Sequence, residues 1–397
     1  MSLNDVVSAE RVHIGFFGMR NAGKSSVVNA VTGQSLSVVS SVKGTTTDPV
    51  RKAMELLPLG PVVIVDTPGL DDAGELGDLR VKKTREVLGS IDIAVLVVDA
   101  ERGLSPEDEA LRAALRKKDL PYIVALNKCD LLQSRPAPEP DALFVSAKTG
   151  EGINELKNRL GDFAGRVKNE KKLLAGLISP GQTAVLVIPI DASAPKGRII
   201  LPQQQVLREL LDLNCAAVCT QVAGLPGVLA SFKDPPAVVI TDSQAFGAVS
   251  KLVPQSIPLT SFSIVFARYK GELTALLRGV AALKELKNGD GVLISEGCTH
   301  HRQCGDIGTE KMPAWIRSYT GSEPRFSFTS GGEFPEDLSP YKLVVHCGGC
   351  MLSETAMKSR LASAAAQNVP VLNYGMAIAE MHGILPRALA PFRIPAE

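Results

Sequence analysis

The chain has no excess of charge of either sign. Its 397 residues include 43 lysines and arginines against 42 aspartates and glutamates, so the formal net charge is +1. Proteins that hold nucleic acid through many phosphates usually show a basic excess. The composition therefore gives no support for a nucleic-acid partner, although a local basic patch stays open.

Long apolar runs are also absent. Hydrophobic residues make up 45% of the chain, yet no stretch reaches the roughly 18 apolar residues of a membrane span. The longest runs, such as residues 93–98, have the length of buried strands. The first residues lack the basic start and the apolar run of a secretory signal. We therefore expect a cytoplasmic protein without a membrane partner.

The cysteine content does not fit a disulfide framework. Seven cysteines is an odd number, and no export signal is visible. In a reducing compartment cysteines are free, buried or bound to metal. This leaves metal binding as the informative possibility.

The first part of the chain alternates apolar strand patterns with helical patterns. Short apolar runs at residues 12–17, 62–65, 93–98 and 122–126 are separated by helical stretches such as residues 106–118. Strands that are covered by helices on both faces have this composition. We predict a mostly parallel α/β sheet.

A phosphate-binding loop follows the first strand pattern. Residues 18–25 fit the pattern G-x-x-x-x-G-K-S. In such a loop backbone N–H groups close around a phosphate, Lys24 reaches the β- and γ-phosphates, and Ser25 binds Mg²⁺. The predicted nucleotide-binding residues of the loop are Gly18, Asn21, Ala22, Gly23, Lys24, Ser25 and Ser26.

Four further motifs occur in the order that a GTPase requires. Asp66, after a buried strand, would hold Mg²⁺ through water, and Gly69 would sense the γ-phosphate. Thr46 lies where a switch loop would supply a second Mg²⁺ ligand beside Ser25. Asp130 would accept two hydrogen bonds from guanine, a pair that adenine cannot supply. We predict catalytic roles for Lys24, Thr46 and Gly69, and nucleotide contacts from Asp66, Asn127, Lys128, Asp130, Ser146, Ala147 and Lys148.

These motifs resemble the translation-factor class of GTPases and, within it, the Era and TrmE group. Leu70 stands where Ras-like GTPases place a water-orienting glutamine. Asn21 stands where TrmE-like members use an asparagine to hold K⁺, although a turn residue in a tight loop is the alternative. The resemblance implies slow GTP hydrolysis, stimulated by K⁺ and used as a switch.

The middle of the chain carries no recognisable catalytic constellation. Strand and helix patterns recur over residues 175–265, and by elimination we expect an association domain. Cys215 and Cys219 have no further ligand at zinc-finger spacing. We expect both to be buried packing thiols.

The last part of the chain carries a split set of soft metal ligands. Each half follows an apolar strand pattern, and strand carboxyl ends gather at one rim of an open α/β sheet. Three thiolates with a weaker fourth ligand favour an iron–sulfur cubane. A structural zinc site and a redox dithiol stay open. The candidate ligands are Cys298, His300, His346, Cys347 and Cys350.

This split motif closely resembles the HydF family of FeFe-hydrogenase maturation GTPases. In that family C-x-H is followed, after about fifty residues, by H-C-x-x-C, and here 45 residues separate His300 from His346. The resemblance covers essentially the whole chain. It implies a 4Fe-4S cluster on Cys298, Cys347 and Cys350, with His300 or His346 at the labile fourth position. Other candidates for that position lie close in sequence, namely His301, Cys304, Asp306 and Glu310.

The family also implies a function and partners. Its members act as scaffold and carrier for the diiron subcluster of the hydrogenase active site. Two radical-SAM maturases supply the components, and the apo FeFe-hydrogenase receives the product. We expect a homo-oligomer, most simply a dimer.

We therefore predict an α/β protein of three domains. Residues 1–168 form the GTP-binding domain, residues 175–265 the association domain, and residues 266–397 the cluster-binding domain. Two other functions stay open. One is an RNA- or ribosome-associated GTPase with a structural zinc, and the other is a thiol oxidoreductase with a regulatory GTPase.

Overall fold

The chain folds into two compact units, residues 1–169 and residues 170–397. The computed structural model describes residues 11–33, 50–67, 84, 86–167, 172–190, 199–271, 273–297, 306–349 and 351–392.

The first unit contains a six-stranded sheet in the order β2-β3-β1-β4-β5-β6. Only β2 runs antiparallel to its neighbour, along β3. The strands are β1 Val12–Phe17, β2 Val50–Leu56, β3 Gly60–Asp66, β4 Ile93–Asp99, β5 Tyr122–Asn127 and β6 Ala142–Phe144. Its helices include α1 Lys24–Thr32, α2 Pro106–Lys117 and α3 Ile153–Val167.

Local sequence explains why these elements form. Neighbouring residues of one strand enter opposite faces of the sheet, as Phe16 and Phe17 do in separate apolar clusters. Both faces are therefore buried, which explains the continuous apolar runs. Helix α2 begins at a capping box in which Ser105 and Asp108 satisfy each other's backbone N–H groups.

The second unit contains two four-stranded parallel sheets. The first has the order β10-β9-β7-β8 and the second the order β12-β11-β13-β14. The strands are β7 Thr183–Val187, β8 Ala216–Thr220, β9 Val238–Thr241, β10 Leu259–Ser261, β11 Gly291–Ser295, β12 Arg325–Thr329, β13 Leu343–His346 and β14 Val371–Asn373.

Helices connect and cover these strands. They are α4 Leu201–Asp212, α5 Leu225–Ser231, α6 Phe246–Leu252, α7 Phe262–Lys270, α8 Leu273–Lys284, α9 Met312–Thr320, α10 Glu354–Ala366, α11 Tyr374–Met381 and α12 Leu385–Leu389.

One continuous apolar core joins the two sheets of the second unit. Val187 and Val239 of the first sheet belong to the same cluster as Ile294 and Val344 of the second sheet. The boundary predicted between residues 265 and 266 falls inside α7, whose last residue lies against the second sheet's loops.

The predicted fold class is confirmed, because every sheet is wholly or mostly parallel and lies among helices. The interpretation of Cys219 was wrong. Cys215 is buried, but Cys219 is exposed, because β8 is an edge strand of its sheet. Within the described ranges, no helix is both long and apolar enough to cross a lipid bilayer.

Candidate nucleotide and metal sites

The described nucleotide motifs lie at one edge of the first sheet. The loops follow β1, β3, β5 and β6, and parallel strands bring their carboxyl ends to the same edge. The described residues there are Gly18, Asn21, Ala22, Gly23, Lys24, Ser25, Ser26, Asp66, Asn127, Lys128, Asp130, Ser146, Ala147 and Lys148. Thr46, Gly69 and Leu70 lie outside the described residues.

Two glycines let the phosphate loop pass close to its neighbours. Gly18 has a φ of +152°, and a Cβ there would lie 2.3 Å from the carbonyl oxygen of Val97. Gly23 has a φ of +86°, and its Cβ would lie 2.3 Å from Nδ2 of Asn127. Both the backbone conformation and the space therefore require glycine.

Asn127 braces the phosphate loop against the loop after β6. Asn127 is 2% exposed. Nδ2 donates to the carbonyl oxygen of Ala22 at 2.9 Å, and Oδ1 accepts from the N–H of Ala147 at 3.1 Å. A side chain predicted to contact the nucleotide thus also joins two of its binding loops.

Lys24 and Asp66 form an ion pair where α1 begins and β3 ends. The hydroxyl of Thr67 donates to the carbonyl oxygen of Phe16 at 2.7 Å, which fixes the chain after β3 beside β1. The two groups that the sequence assigns to the phosphates and to Mg²⁺ therefore neutralise each other here. A phosphate and a metal ion would give each of them a partner of its own.

The carboxylate assigned to guanine is oriented by its neighbour. The hydroxyl of Ser146 donates to Oδ1 of Asp130 at 2.7 Å and accepts from the N–H of Thr149 at 3.1 Å. The base loop therefore holds Asp130 in a defined direction.

Asp99 is a part of this edge that the sequence analysis missed. Nζ of Lys128 donates to its Oδ2 at 2.6 Å. Burial alone would raise the pKa of Asp99, but the hydrogen bonds from Lys128 and from the N–H of Glu101 outweigh it and lower the pKa. The available signal was an acidic residue directly after the apolar run of β4.

The second candidate site lies at a topological switch point. Strand β11 pairs with β12 on one side and with β13 on the other. The chain leaves β11 toward one side and returns to the other, which opens a crevice at the carboxyl ends of β11 and β13. Gly297 lies after β11, and Cys347 follows β13 directly. We call residues 347–352 the cysteine loop.

The thiol of Cys347 is placed by backbone groups from both sides of this crevice. Its Sγ accepts the N–H of Gly297 at 3.0 Å and the N–H of Gly349 at 3.3 Å. A Cβ at position 297 would lie 2.8 Å from Cγ of Leu352, so glycine is needed for this approach. N–H groups directed at sulfur are the means by which proteins orient and tune thiolate ligands.

His346 is buried behind the cysteine loop, with 1% exposure. Nδ1 lies 2.8 Å from the carbonyl oxygen of Cys347, and Nε2 lies 2.9 Å from Nη1 of Arg360. Burial and the charge of Arg360 lower the pKa of His346 to about 3. The neutral ring therefore donates through Nδ1 and accepts through Nε2, so ligation of a metal would require one of these bonds to break.

Two buried cations beside this site were also missed. Arg360 donates to Oγ of Ser295 at 3.3 Å and to the carbonyl oxygen of Gly331 at 2.6 Å. Lys270, at the end of α7, donates to the carbonyl oxygen of Gly349 at 2.5 Å. No motif marks either residue, because each acts on loops far away in sequence.

Two of the other predicted ligands, Asp306 and Glu310, lie within the described residues. Asp306 accepts the N–H groups of Gly308 and Thr309 through Oδ2 and caps the turn that follows, while Glu310 is exposed. In the ranges that the structure describes, no three His, Cys, Asp or Glu residues are grouped to hold a metal. Outside the described residues lie Cys298, His300, His301, Cys304 and Cys350.

Comparison with protein families divides the chain into three matched segments. Residues 13–128 match the family "50S ribosome-binding GTPase". Residues 173–271 match the hydrogen maturase F dimerization domain, and residues 274–391 match the hydrogen maturase F tetramerization domain. The last two matches together span more than half of the chain.

Curated relatives support the GTPase assignment. The chain is 36% identical over 163 residues to the tRNA modification GTPase MnmE of Nitrosospira multiformis, covering 39% of this chain and 36% of that protein. For MnmE of Clostridioides difficile the identity is 34% over 167 residues, covering 40% and 36%. The chain thus spans about a third of the length of these relatives, which fit the predicted TrmE-type resemblance.

A solved structure of a probable GTP-binding protein engB is also similar. It is 28% identical, covers 39% of this chain and 100% of its own, and has a TM-score of 0.32.

These matches confirm the predicted GTPase and imply GTP and Mg²⁺ as its ligands. The dimerization and tetramerization matches support homo-oligomerisation. With a GTPase domain followed by both of these domains in order, the chain belongs to the hydrogen maturase F family.

Proposed function

We propose that this protein is a GTP-gated scaffold and carrier in the maturation of FeFe-hydrogenase. It would bind a 4Fe-4S cluster through Cys298, Cys347 and Cys350, and it would assemble and deliver the diiron subcluster. The radical-SAM maturases would supply the components, and the apo-hydrogenase would receive the product. Family membership supports the maturation role.

The observation that carries the proposal is the setting of Cys347. Its sulfur accepts two backbone N–H groups at the switch point between β11 and β13. This donor set fits a thiolate ligand, because both groups stabilise negative charge on sulfur. A cubane bound through three cysteines supplies an electron-transfer centre with one iron open to a further ligand.

The fourth ligand stays a proposal. The hydrogen bonds of His346 give that side chain a role in orienting Cys347 and Arg360. They make His300 the more economical candidate of the two histidines, since ligation by His346 would sacrifice a buried bond.

We also propose that the nucleotide state gates partner exchange. Lys24 and Asp66 would pass from their mutual ion pair to the phosphates and to hydrated Mg²⁺, with Ser25 and Thr46 as direct Mg²⁺ ligands. Switch loops that are ordered by the γ-phosphate and released on hydrolysis would transmit the change.

A potassium ion at Asn21 is a further part of the proposal. Asn21 has a φ of +67° and is exposed, a backbone region that asparagine tolerates in turns without any ion. Hydrolysis rates in potassium and sodium chloride separate these explanations. Equal rates in both salts would leave Asn21 a turn residue.

The decisive experiment is metal analysis of anaerobically reconstituted protein. We expect about four irons per chain and an EPR signal after dithionite reduction. Cys347→Ser should lose most of the iron, whereas Cys219→Ser, at an exposed cysteine on β8, should keep it. Stoichiometric zinc that is insensitive to reduction would instead support the zinc-containing, RNA-associated GTPase.

Gating is tested separately by hydrogenase activation. A Lys24→Ala protein that cannot bind GTP should keep its iron but lose activation. Lys118→Ala, an exposed residue at the end of α2, is the control. Undiminished activation by Lys24→Ala would show that GTP does not gate the transfer.

A further inference from the structure

Lys270 is a buried lysine that the nucleotide and cysteine motifs do not explain. It is the last residue of α7 and is 6% exposed. Its ammonium group lies 5.9 Å from the ring centroid of Phe266. Met357 and Leu361 line the same narrow cavity, together with Cys347. The side chain therefore runs through largely apolar surroundings toward the cysteine loop.

The ammonium group donates hydrogen bonds to two residues of the cysteine loop. It donates to the carbonyl oxygen of Gly349 at 2.5 Å and to that of Leu352 at 2.8 Å. Two carbonyl groups three residues apart are thus drawn to one point, which fixes the turn between them.

One of these hydrogen bonds is connected to the thiol of Cys347 through Gly349. The carbonyl oxygen of Gly349 accepts from Lys270, and the N–H of the same residue donates to Sγ of Cys347 at 3.3 Å. Movement of Lys270 would therefore shift both the peptide that holds the thiol of Cys347 and the carbonyl group of Leu352.

Negative charge on the sulfur of Cys347 would stabilise a cation buried at this place. Burying an ammonium group costs several kcal/mol unless nearby dipoles and charges compensate. Carbonyl dipoles supply part of the compensation, and the carboxyl-terminal end of α7 supplies a little more. Arg360 is a second buried cation near this site, where it bonds to Nε2 of His346, and Nδ1 of the same ring lies 2.8 Å from the carbonyl oxygen of Cys347. Two cations around one cysteine suit a thiolate site.

We propose that Lys270 is a positioning residue of the cysteine loop, which holds the carbonyl groups of Gly349 and Leu352 in place and adds positive charge near the sulfur of Cys347. The second part rests on the proposed cluster function; the first part does not.

The loop-positioning part is tested on full-length protein without metal. Lys270→Met keeps the length of the side chain and removes the charge and the two hydrogen bonds. We expect amide hydrogen exchange over residues 347–352 to become at least about tenfold faster, which corresponds to about 1.4 kcal/mol. Lys251→Met, at an exposed position in the last turn of α6, is the matched control.

Unchanged exchange in Lys270→Met would overturn the positioning role. If that variant does not fold, Lys270→Gln, which keeps a donor without the charge, allows the same comparison.

The charge part is tested on the reconstituted protein by redox titration. A nearby cation favours the more negative, reduced state. At the wild-type midpoint potential we expect the reduced-to-oxidised ratio of Lys270→Met to fall at least about tenfold, or 59 mV for one electron. Lys270→Arg should restore much of the ratio. An unchanged potential would remove the electrostatic part, since a purely structural residue would not move it.

The outcomes separate this inference from the proposed function. If the wild-type protein binds no iron, the cluster function fails, and hydrogen exchange still decides the role of Lys270. If the wild-type protein binds iron and exchange is unchanged by Lys270→Met, only the role of Lys270 fails.

Discussion

The nucleotide edge of the first unit and the cysteine loop of the second unit occupy the same kind of place and are held in different ways. Both lie where parallel strands end. The nucleotide loops are joined by a neutral side chain, Asn127. Gly18 and Gly23 let the phosphate loop pass close to its neighbours, where a Cβ would collide. The cysteine loop is held by the buried cation Lys270, and a second buried cation, Arg360, bonds to His346 directly before the loop.

The first unit also contains a buried cation, Arg112, but its partners are carboxylates. Arg112 is 4% exposed, and it pairs with the carboxylates of Glu139 and Asp141 before β6, away from the nucleotide edge. The hydrogen bond that Arg112 donates to Glu139 is the largest cause that raises the pKa of Arg112, whereas burial lowers the pKa of Arg360. Arg112 thus has carboxylate partners, whereas Arg360 is bonded to neutral groups, one of which is the ring of His346 beside Cys347.

The largest effect is expected from a matched pair of glycine substitutions in the first unit, which tests how strongly GTP binding depends on the contact between the phosphate loop and Asn127. In Gly23→Ala a Cβ would collide with Asn127, and we expect GTP to bind at least about 100-fold more weakly. Gly33→Ala has a similar φ of +65° but nothing within 4 Å, so it carries the backbone strain without the clash. Fluorescent-nucleotide titration of both variants is the measurement. Equal losses would mean that strain, and not the brace, decides binding.

The carboxylates around Arg112 should show a pH-dependent contribution to stability. Burial would raise the pKa of Asp141, but hydrogen bonds from Tyr122 and Arg112 lower it to about 2. A lowered folded-state pKa stabilises the unit above the unfolded value of about 4, and this contribution is lost as the pH falls toward 2.

Asp141→Asn should therefore lower the free energy of unfolding by about 2 kcal/mol at pH 7 and by much less near pH 2. Hydrogen exchange of the β5 amides reports this transition separately from the second unit. If the difference in the free energy of unfolding between Asp141→Asn and the wild type did not change with pH, the charge assigned to Asp141 would be wrong.

Removing the brace itself should have a smaller effect than the clash. Asn127→Ala leaves the carbonyl group of Ala22 and the N–H of Ala147 without this partner, at a cost of about 1–3 kcal/mol. We expect GTP affinity to fall about tenfold or more, as measured by calorimetry. Asn154→Ala, on the exposed side of α3, should not change it.

The smallest effect is expected in the cysteine loop. Gly349→Ala carries a φ of +59° and a Cβ 3.3 Å from Sδ of Met357, a flexible side chain, whereas Gly348→Ala meets nothing within 4 Å. We expect iron loss to a chelator to quicken a few-fold in Gly349→Ala, with backbone strain of about 1–2 kcal/mol, and to be unchanged in Gly348→Ala. Equal rates would show that the loop does not depend on this backbone geometry.

The sequence revealed the parts of each site that are local. The phosphate loop is predictable because its glycines, lysine and serines are contiguous and follow a strand. Asn127 was found through its motif, but its bracing contacts lie 105 and 20 residues away. Lys270 contacts a residue 79 positions away, and only the folded chain brings them together.

Other differences have equally physical reasons. Strands β2, β10 and β12 were not predicted, because each lies at a sheet edge and lacks a fully apolar run. Cys219 was misplaced for the same reason, since spacing alone does not distinguish an edge strand from a covered one. The placement of Cys347 at a strand end was predictable because an apolar run precedes it.

Helix α7 gives the second unit a mechanical linkage. It starts at Ser261, whose hydroxyl caps it at the end of β10, and it ends at Lys270. The helix lies in the segment that matches the dimerization domain, while the loop that it grips lies in the segment that matches the tetramerization domain. At about 1.5 Å per residue it is a rod of about 13 Å. An assembly step that tilts this rod would pull on the carbonyl groups of Gly349 and Leu352, and by reciprocity an occupant that shifts this loop would bias the assembly.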